Sequence, residues 1–435
     1  MYVEKNQPVK TKLLSPCGRF RRCDTCEARG WCRFVEEAES SLQIEGLAAE
    51  EEKRCSFPGY GIAVDLGTTT LAGILLGARG VLAETAAVNP QVSLGADVLT
   101  RAQRSTEGFQ KRLQTLIQEA IGRMIQSLCT KAGISKERVT SGVITGNTVM
   151  LYLLTGRNPA CLTKAPFVPD CLFDWTQEIS GILFYLPPCV SAFIGADALC
   201  SLLASRITEQ EEAGMLADLG TNGEIMLWHK GKLTCCSAAA GPAFEGYGLS
   251  HGMPAEEGAV DRAAAAAGRL IPHVIGETEP KGICGSGMID LLAVFRQLEI
   301  VEENGYMEKE YFMVTPGDVR MVQMAKSAVC AGIQTLMEEA EAAPGQISGL
   351  WIAGGFGKHL NPQSAGAIGL VPFGLTGKMH TIGNGALAGA VQLLRKPETI
   401  WKMRRLAQLA QTLDLTSSDV FAKRYLEGMR LAPVL

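Results

Sequence analysis

The chain has 435 residues, of which 47% are hydrophobic and 20% charged, and a formal net charge of −4. This length exceeds one ordinary hydrophobic core, so two or three globular domains are expected, and the slightly acidic balance gives no electrostatic basis for binding nucleic acid or an anionic membrane. Prolines interrupt the longest uncharged run, Ile179 to Ala196, and the N-terminus has no apolar leader. We therefore expect a cytoplasmic protein without a membrane span.

Cysteines are concentrated at the N-terminus, where five of the fourteen lie within the first 55 residues. Because no export signal accompanies them, we interpret them as metal ligands rather than as a disulfide framework. The C-x5-C-x2-C spacing of Cys17, Cys23 and Cys26 is close to the plant-type ferredoxin loop and favours an iron–sulfur cluster, with 2Fe–2S preferred over 4Fe–4S. Cys55 is the preferred fourth ligand and Cys32 the alternative. A structural zinc site is the main competitor, although zinc would more naturally show two C-x2-C pairs.

The tetrapeptide Asp-Leu-Gly-Thr occurs twice, at residues 65–68 and 218–221. Each copy ends one apolar run and precedes another, which predicts strand, tight turn and strand. Glycine allows backbone N–H groups to surround a phosphate, and the aspartate can bind Mg²⁺ through water. Either turn alone would equally suit an ordinary Asp-initiated turn, but two of them across a cleft would bind a nucleotide's phosphates from both sides. The residues assigned to this role are Asp65, Gly67, Thr68, Thr69, Thr70, Asp218, Gly220, Thr221, Asn222 and Gly223.

Strands alternate with helices along the rest of the chain, which indicates α/β architecture. Strands are predicted at 142–145 and 348–353, and helices at about 106–132, 148–154, 288–298 and 318–341, with a further helix ending near residue 394 and a helical tail. Cys129, Cys200 and Cys330 fall in apolar helical stretches, where small buried side chains are expected.

Gly354-Gly355-Phe356-Gly357 follows a predicted strand and forms a third glycine-rich turn. Such a turn would let the adenosine of the same nucleotide approach the backbone, although a helix-capping turn is the simpler interpretation. Downstream, Ala386, Gly389 and Ala390 have the i, i+3, i+4 spacing of one helix face. A face this smooth would allow two helices to cross closely, as a hinge between lobes requires, and a packed interior helix would explain it equally well.

Two common nucleotide signatures are absent from the sequence. There is no G-x-x-x-x-G-K-[ST] motif, so this is not a P-loop protein, and Gly282 to Gly287 does not match G-x-G-x-x-G. None of the five histidines has the spacing of a zinc hydrolase pair or lies in an Asp-x-His-x-x-Gly context. The histidines are therefore interpreted as ordinary surface or core residues.

The paired turns and the Gly-Gly-Phe-Gly turn resemble the phosphate and adenosine motifs of the actin, sugar-kinase and heat-shock-chaperone ATPase superfamily. More narrowly, the chain resembles the reductive activators of corrinoid-dependent enzymes from about residue 60 to the C-terminus. The segments that carry this resemblance are NPQVSLGADVLTR (89–101), TGNTVMLYLLTG (145–156), APFVP (165–169), FIGADAL (193–199), ADLGTNGEI (217–225), SAAAGPAFEG (237–246), GICGSGMID (282–290) and WIAGGFG (351–357).

The resemblance implies a two-lobed, actin-like α/β ATPase built on ribonuclease H-like repeats, with a short Cys-rich iron–sulfur segment. We assign residues 1–57 to that segment, 58–205 to lobe I and 206–435 to lobe II with its helical tail. The implied function is ATP- and Mg²⁺-dependent reduction of the inactive cobalt(II) corrinoid of a methyltransferase system to cobalt(I). The partners would be the corrinoid protein and a low-potential electron donor, and a homodimer is left open.

Within this mechanism, Asp65 and Asp218 are the expected catalytic residues, Asp218 positioning the attacking water. Gly354, Gly355, Phe356 and Gly357 would bind the adenosine, and Cys17, Cys23, Cys26 and Cys55 would bind the cluster. The chain departs from the family in one region: only about 57 residues precede the ATPase, fewer than the family's ferredoxin part, linker and middle domain. The cluster loop also contains one glycine where such loops have several, which reduces the N–H donors around the sulfurs.

Three other functions remain open at this point. A metabolite kinase of the same fold would have no use for the clustered cysteines. An ATP-gated electron donor to a radical dehydratase would have fewer cysteines and no C-x5-C-x2-C at its N-terminus. An iron–sulfur redox sensor would leave the phosphate motifs without a role.

Overall fold

The structure, a computed structural model, describes residues 59–220 and 222–434. The predicted iron–sulfur segment, with Cys17, Cys23, Cys26, Cys32 and Cys55, lies outside the described residues, as does Thr221. We refer to residues 59–205 as lobe I and to residues 206–434 as lobe II.

Lobe I is built on a six-stranded mixed sheet. Its strands are β1 (Tyr60–Leu66), β2 (Thr70–Gly77), β3 (Gly80–Val88), β4 (Val139–Gly146), β5 (Trp175–Ile179) and β6 (Ile182–Leu186). Its helices are α1 (Val98–Arg104), α2 (Gln110–Ala132), α3 (Thr148–Thr155) and α4 (Ala196–Ser205). The strand order is β3-β2-β1-β4-β6-β5. Central strand β1 is apolar on both faces, with Ile62, Ala63 and Val64 fully buried, because helices cover both sides of the sheet.

Lobe II contains a second six-stranded sheet and a small three-stranded one. Its strands are β7 (Ala213–Leu219), β8 (Gly223–His229), β9 (Lys232–Ala238), β10 (Ala259–Ala266), β11 (Arg269–Val274), β12 (Gly282–Ile283), β13 (Ile347–Ala353), β14 (Met379–Gly383) and β15 (Ala410–Thr412). Its helices are α5 (Gly285–Gln297), α6 (Pro316–Glu339), α7 (Pro362–Ala367), α8 (Phe373–Thr376), α9 (Gly385–Arg395), α10 (Thr399–Leu409) and α11 (Asp419–Glu427). The sheet orders are β14-β13-β7-β8-β9-β15 and β11-β10-β12.

The two large sheets repeat one topology. In lobe I the antiparallel strands β3, β2 and β1 are followed by the parallel strands β4 and β6. In lobe II the antiparallel strands β9, β8 and β7 are followed by the parallel strands β13 and β14. This duplication confirms the predicted two-lobed, actin-like α/β fold. It also places the two Asp-Leu-Gly-Thr turns at equivalent positions, after the first strand of each repeat.

Most predicted elements are present, with shifted boundaries. The helix predicted at 106–132 begins only at Gln110, because Gly108 adopts φ +101° and separates α2 from a short preceding helix. The strand predicted at 142–145 is the second half of β4. Within the part of the chain that the structure describes, no helix combines the length and the apolarity needed to cross a bilayer.

Helices α4 and α9 cross with almost no space between their backbones. A Cβ atom on Gly389 would lie 2.1 Å from the carbonyl oxygen of Cys200, so only glycine fits at this point. The spacing of Ala386, Gly389 and Ala390 was compatible with a close crossing or with a packed interior helix, and α9 has both features, because Ala386 and Ala390 are buried. The burial expected for Cys129, Cys200 and Cys330 is confirmed as well.

Candidate nucleotide-binding site

A cavity of about 530 Å³ opens between the two lobes, within the size range of small-molecule and cofactor sites. Lobe I contributes the turn after β1, and lobe II contributes the turn after β7 and the loop after β13. The sequence-predicted residues that line it are Asp65, Gly67, Thr68, Thr69, Thr70, Asp218, Gly220, Asn222, Gly354, Gly355 and Phe356.

The backbone approaches closely at the turns that border the cavity. A Cβ on Gly67 would lie 2.5 Å from the carbonyl oxygen of Thr70, so the first turn closes only with glycine. Gly354 adopts φ +93°, and a Cβ there would lie 2.8 Å from the carbonyl oxygen of Leu219. The third glycine-rich turn therefore packs directly against the second Asp-Leu-Gly-Thr turn. This packing brings the predicted adenosine and phosphate motifs of lobe II together.

Several carboxylates that line the cavity lie close enough to influence one another's protonation. Desolvation raises the pKa of Asp65 to about 6, a shift that its hydrogen bond from Asn384 opposes and the nearby charge of Asp218 reinforces. Desolvation also raises the pKa of Asp218, and of Asp197, where the charges of Asp218 and Asp65 add to the effect. Glu224 pairs with Asp218 across β7 and β8, and desolvation with neighbouring carboxylates raises its pKa well above the usual value. Ionisation of these carboxyl groups together is therefore unfavourable, and a cation in the cavity would favour their charged forms.

The carboxylate cluster suits Mg²⁺ bound through water and phosphate oxygens rather than by a protein cage. Among residues 59–220 and 222–434, no three His, Cys, Asp or Glu side chains converge in a metal-binding arrangement. Mg²⁺ commonly retains several waters and takes one or two carboxylates together with substrate phosphates. The charge of Asp218 raises the pKa of Asp65 and of Asp197, and a cation bound near these carboxylates would offset that repulsion.

Hydrogen bonds fix the orientation of the two motif aspartates. Asn384 Nδ2 donates to Asp65 Oδ2 at 2.8 Å, and Ser201 Oγ donates to Asp218 Oδ2 at 2.8 Å. In the first turn, Asn147 Nδ2 donates to Thr68 Oγ1 at 3.2 Å. The oxygens of the aspartates that these bonds leave uncommitted remain available for a cation or its waters.

Phe244 and Phe356 form the aromatic side of the cavity. Their rings stack with centroids 4.8 Å apart and an interplanar angle of 22°. Tyr247, which is 45% exposed, lines the same cavity. An apolar, aromatic surface next to a glycine turn is suited to a flat base.

Several assigned residues have other positions. Gly223 begins β8 and does not line the cavity, and Gly357 packs beneath β13, where a Cβ would lie 2.4 Å from Ile352 Cγ2. Thr221 and the four assigned cluster ligands, Cys17, Cys23, Cys26 and Cys55, lie outside the described residues. Among the remaining cysteines, Cys284 lines the cavity, whereas Cys235 and Cys236 are buried in β9.

Part of the cavity lining was not assigned to the site from the sequence. The additional residues are Asn147, Asp197, Leu219, Glu224, Phe244, Glu245, Tyr247, Pro254, Ala255, Cys284, Gly285, Ser286, His359, Asn384, Gly385 and Ala386. A repeated sequence pattern could have identified two of these residues, Asn147 and Asn384. The dipeptide Gly-Asn occurs at 146–147 and at 383–384, each time between a strand and a helix. Asn147 and Asn384 cap helices α3 and α9, and both donate to the first hairpin.

Both lobes of the described chain match protein-family models. Residues 60–210 match the RACo middle region, and residues 212–313 and 307–433 match the C-terminal domain of RACo, the ASKHA domain. The short segment that precedes the ATPase therefore does not mean that the middle region is missing. The matched residues 60–210 largely coincide with residues 58–205, which we predicted to be lobe I of the ATPase.

Two curated proteins are similar over most of the chain. Corrinoid activation enzyme RamQ of Eubacterium limosum is 30% identical over 88% of this chain and 72% of its own length. The [Co(II) methylated amine-specific corrinoid protein] reductase of Methanosarcina barkeri is 26% identical over 84% of this chain and 76% of its own. Both names refer to activation or reduction of corrinoid proteins.

A solved structure agrees with these relatives. The reductive activator for corrinoid,iron-sulfur protein superposes with a TM-score of 0.78 and 28% identity, covering 87% of this chain and 67% of that protein. The fold, the family models and the similar proteins all indicate the same family for the chain from residue 60 onward. The chain therefore belongs to the RACo family of reductive activators of corrinoid proteins.

Proposed function

We propose that this protein is an ATP-dependent reductive activator. It passes one electron from an N-terminal iron–sulfur cluster to the inactive cobalt(II) corrinoid of a methyltransferase corrinoid protein and restores cobalt(I). Membership of the family supports the corrinoid protein as the partner. The observation that carries the ATP dependence is a cavity that both Asp-Leu-Gly-Thr turns and the Gly354-Gly355 turn border together.

Different residues of the cavity would bind the phosphates, the Mg²⁺ ion and the adenine of ATP. Backbone N–H groups and hydroxyls of the first turn, including Thr68 and Thr69, would bind phosphate oxygens, together with the turn after β7. Asp65 and Asp218 would bind Mg²⁺ through water, and the cation would neutralise charge on the phosphates. Phe356 and the glycines before it would contact the adenine. Asp218 is the residue we propose to orient the attacking water.

Nucleotide binding matters because reduction of cobalt(II) to cobalt(I) is uphill from ordinary biological donors. A ligand changes a conformational population only through different affinities for the two states. We propose that ATP favours the lobe arrangement that binds the corrinoid partner. In the redox step, the cluster loses one electron, cobalt(II) gains it, and a low-potential donor then reduces the cluster again.

The ATP-dependent step can be tested with the purified full-length chain and a cobalt(II) corrinoid protein. Visible absorption would follow the loss of cobalt(II) and the appearance of cobalt(I) in the presence of a chemical reductant of low potential. We expect the reaction to require ATP and Mg²⁺ and to be lost in Asp218→Asn. Equal rates with and without ATP would refute the nucleotide part of the proposal.

The cluster can be tested separately. Protein purified without oxygen should contain iron and sulfide, with two irons per chain for the favoured 2Fe–2S cluster. The Cys23→Ser variant should lose both the iron and the sulfide. A comparison of the iron content of Cys55→Ser with that of Cys32→Ser would identify the fourth ligand. Zinc in place of iron, or no metal after reconstitution, would refute the electron-transfer part and reopen the kinase interpretation.

A further inference from the structure

Each of the two motif aspartates is hydrogen-bonded by a helix of the opposite lobe. Asp65, at the end of β1 in lobe I, accepts from Asn384, the N-cap of α9 in lobe II, at 2.8 Å. Asp218, at the end of β7 in lobe II, accepts from Ser201 of α4 in lobe I, also at 2.8 Å. The two bonds therefore run in opposite directions across the cleft.

The two donor helices are also in direct contact with each other. A Cβ on Gly385, one residue after Asn384, would lie 2.9 Å from Ser201 Oγ. One turn further along α9, a Cβ on Gly389 would lie 2.1 Å from the carbonyl oxygen of Cys200. Ser201 is fully buried. Its hydroxyl therefore cannot replace the hydrogen bond to Asp218 with one to water unless helix α4 moves. The donors are thus adjacent at the crossing point of α4 and α9.

This arrangement links the position of each aspartate to the position of the other. A shift of α4 against α9 changes the Ser201–Asp218 bond and the Asn384–Asp65 bond together, because both donors lie at the crossing. Packed helices move between discrete arrangements rather than by continuous deformation. The separation of the two carboxylates therefore depends on how the lobes are oriented.

We propose that Ser201 and Asn384 are positioning residues that act as one unit, a cross-lobe brace that sets the two cation-binding aspartates for Mg²⁺ and ATP. The brace transmits occupancy of the cavity to the angle between the lobes. This inference rests on the proposed nucleotide function and adds the residues through which nucleotide binding is coupled to lobe movement. Neither residue contacts the reacting phosphate in this proposal.

The test compares Ser201→Ala, Asn384→Ser and the double variant. Serine at 384 retains an N-cap oxygen for α9 but lacks the amide donor to Asp65. The measurement is the dissociation constant of a fluorescent, non-hydrolysable ATP analogue, with Mg²⁺ and with EDTA. We expect each single variant to weaken binding about fivefold to twentyfold with Mg²⁺ and less than about twofold with EDTA, since the brace acts through the cation-binding aspartates. The double variant should be no weaker than the weaker single variant.

Matched controls separate the brace from general destabilisation. Ser205→Ala removes a hydroxyl from the same helix α4, where Ser205 donates to the carbonyl oxygen of Leu202. Asn361→Ser changes the N-cap of α7 in the same way as Asn384→Ser. Both controls should bind the analogue like the wild type. Effects that multiply in the double variant, or that are equally large with EDTA, would overturn the brace.

Amide hydrogen exchange provides a readout that does not depend on nucleotide. Ser201→Ala should accelerate exchange in α9 as well as in α4, and Asn384→Ser should accelerate it in α4 as well as in α9. Faster exchange confined to the mutated helix would overturn the proposal. If the wild type bound no analogue, the nucleotide function would fail, and the exchange pattern would still decide whether the brace exists.

Discussion

The rings of Phe244 and Phe356 stack 4.8 Å apart at the edge of the inter-lobe cavity. Phe356 belongs to the Gly-Gly-Phe-Gly turn after β13, and Phe244 to the loop after β9. The stack joins two segments that are more than 100 residues apart in the sequence. The stack therefore places a second aromatic ring, that of Phe244, against Phe356 of the predicted adenosine turn.

The first prediction concerns this stack. Phe356→Leu retains most of the buried volume but removes the aromatic face, which contributes about 0.5 to 1.5 kcal/mol to such pairs. We expect ATP to bind roughly threefold to tenfold more weakly, as measured by titration calorimetry. Phe295→Leu is the matched control, because Phe295 packs edge-on against Tyr311 and does not line the cavity. Equal weakening in both variants would indicate a general loss of packing rather than a base contact.

The second prediction separates stability from activity at Asp218. Desolvation raises the pKa of Asp218 and its charge raises the pKa of Asp65 and Asp197, so the ionised cluster is unfavourable without a cation. Asp218→Asn retains an acceptor for Ser201 and removes one charge. We expect it to raise the free energy of unfolding by about 0.5 to 2 kcal/mol in buffer without Mg²⁺, and to lower ATP hydrolysis at least about a hundredfold.

Denaturant unfolding and a phosphate-release assay check the two parts. Asp414→Asn is the control, because hydrogen bonds from Thr416 lower the pKa of Asp414 outside the cavity. That variant should not be stabilised and should hydrolyse ATP normally. A stabilised Asp218→Asn that still hydrolysed ATP at the wild-type rate would remove Asp218 from the proposed mechanism.

The third prediction is a pH dependence of stability at Asp290 on α5. Desolvation raises the pKa of this buried carboxyl to about 7, although its Oδ2 accepts a hydrogen bond from the backbone N–H of Ala263. The folded state therefore binds a proton that the unfolded chain releases above about pH 4, so this contribution to stability is lost as pH rises from about 4 to 7. Asparagine does not titrate. Relative to the wild type, Asp290→Asn should gain about 2 to 4 kcal/mol in unfolding free energy between pH 4 and pH 7.

Urea unfolding at several pH values checks this gain. Asp419→Asn, on the exposed surface of α11, is the control and should change in parallel with the wild type. The absence of a pH-dependent difference between Asp290→Asn and the wild type would show that Asp290 is ionised in the folded protein at neutral pH.

Local patterns were sufficient to predict the two hairpins and the alternation of strands and helices. Asp65 and Asp218 each follow an apolar run, and such a run predicts a buried central strand. In the structure both aspartates lie at the ends of buried strands. The face of small residues around Gly389 could also be recognised in the sequence, because close approach of two backbones requires small residues at helical spacing. These features depend on short segments, so the sequence carries them directly.

Residues brought to the cavity by packing between distant segments could not be predicted in the same way. Asp197 is the second residue of α4, and Glu224 is the second residue of β8, where only its pairing with Asp218 places it in the cluster. Asn384 reaches Asp65 across 319 positions of sequence. Such contacts depend on the register of the strands and on the angle between the lobes, which no local pattern specifies.

The fourth prediction tests the helix crossing. Gly389→Ala would place a methyl group 2.1 Å from the carbonyl oxygen of Cys200, a contact with backbone that no rotamer change can relieve. The helices would have to separate, and we expect a loss of about 1 to 3 kcal/mol in unfolding free energy despite the better helix propensity of alanine. Gly317→Ala is the matched control, because Gly317 is exposed in the first turn of α6, where a Cβ would lie 3.5 Å from Thr315 Oγ1.

The control variant should be as stable as the wild type or up to about 1 kcal/mol more stable. Because separation of α4 and α9 also displaces Ser201 from Asp218, Gly389→Ala should weaken Mg²⁺-dependent ATP binding as well as stability. Circular dichroism during thermal unfolding and titration with the ATP analogue measure the two effects. A variant that loses stability but binds ATP with Mg²⁺ as tightly as the wild type would show that the crossing is structural and does not set the geometry of the carboxylates.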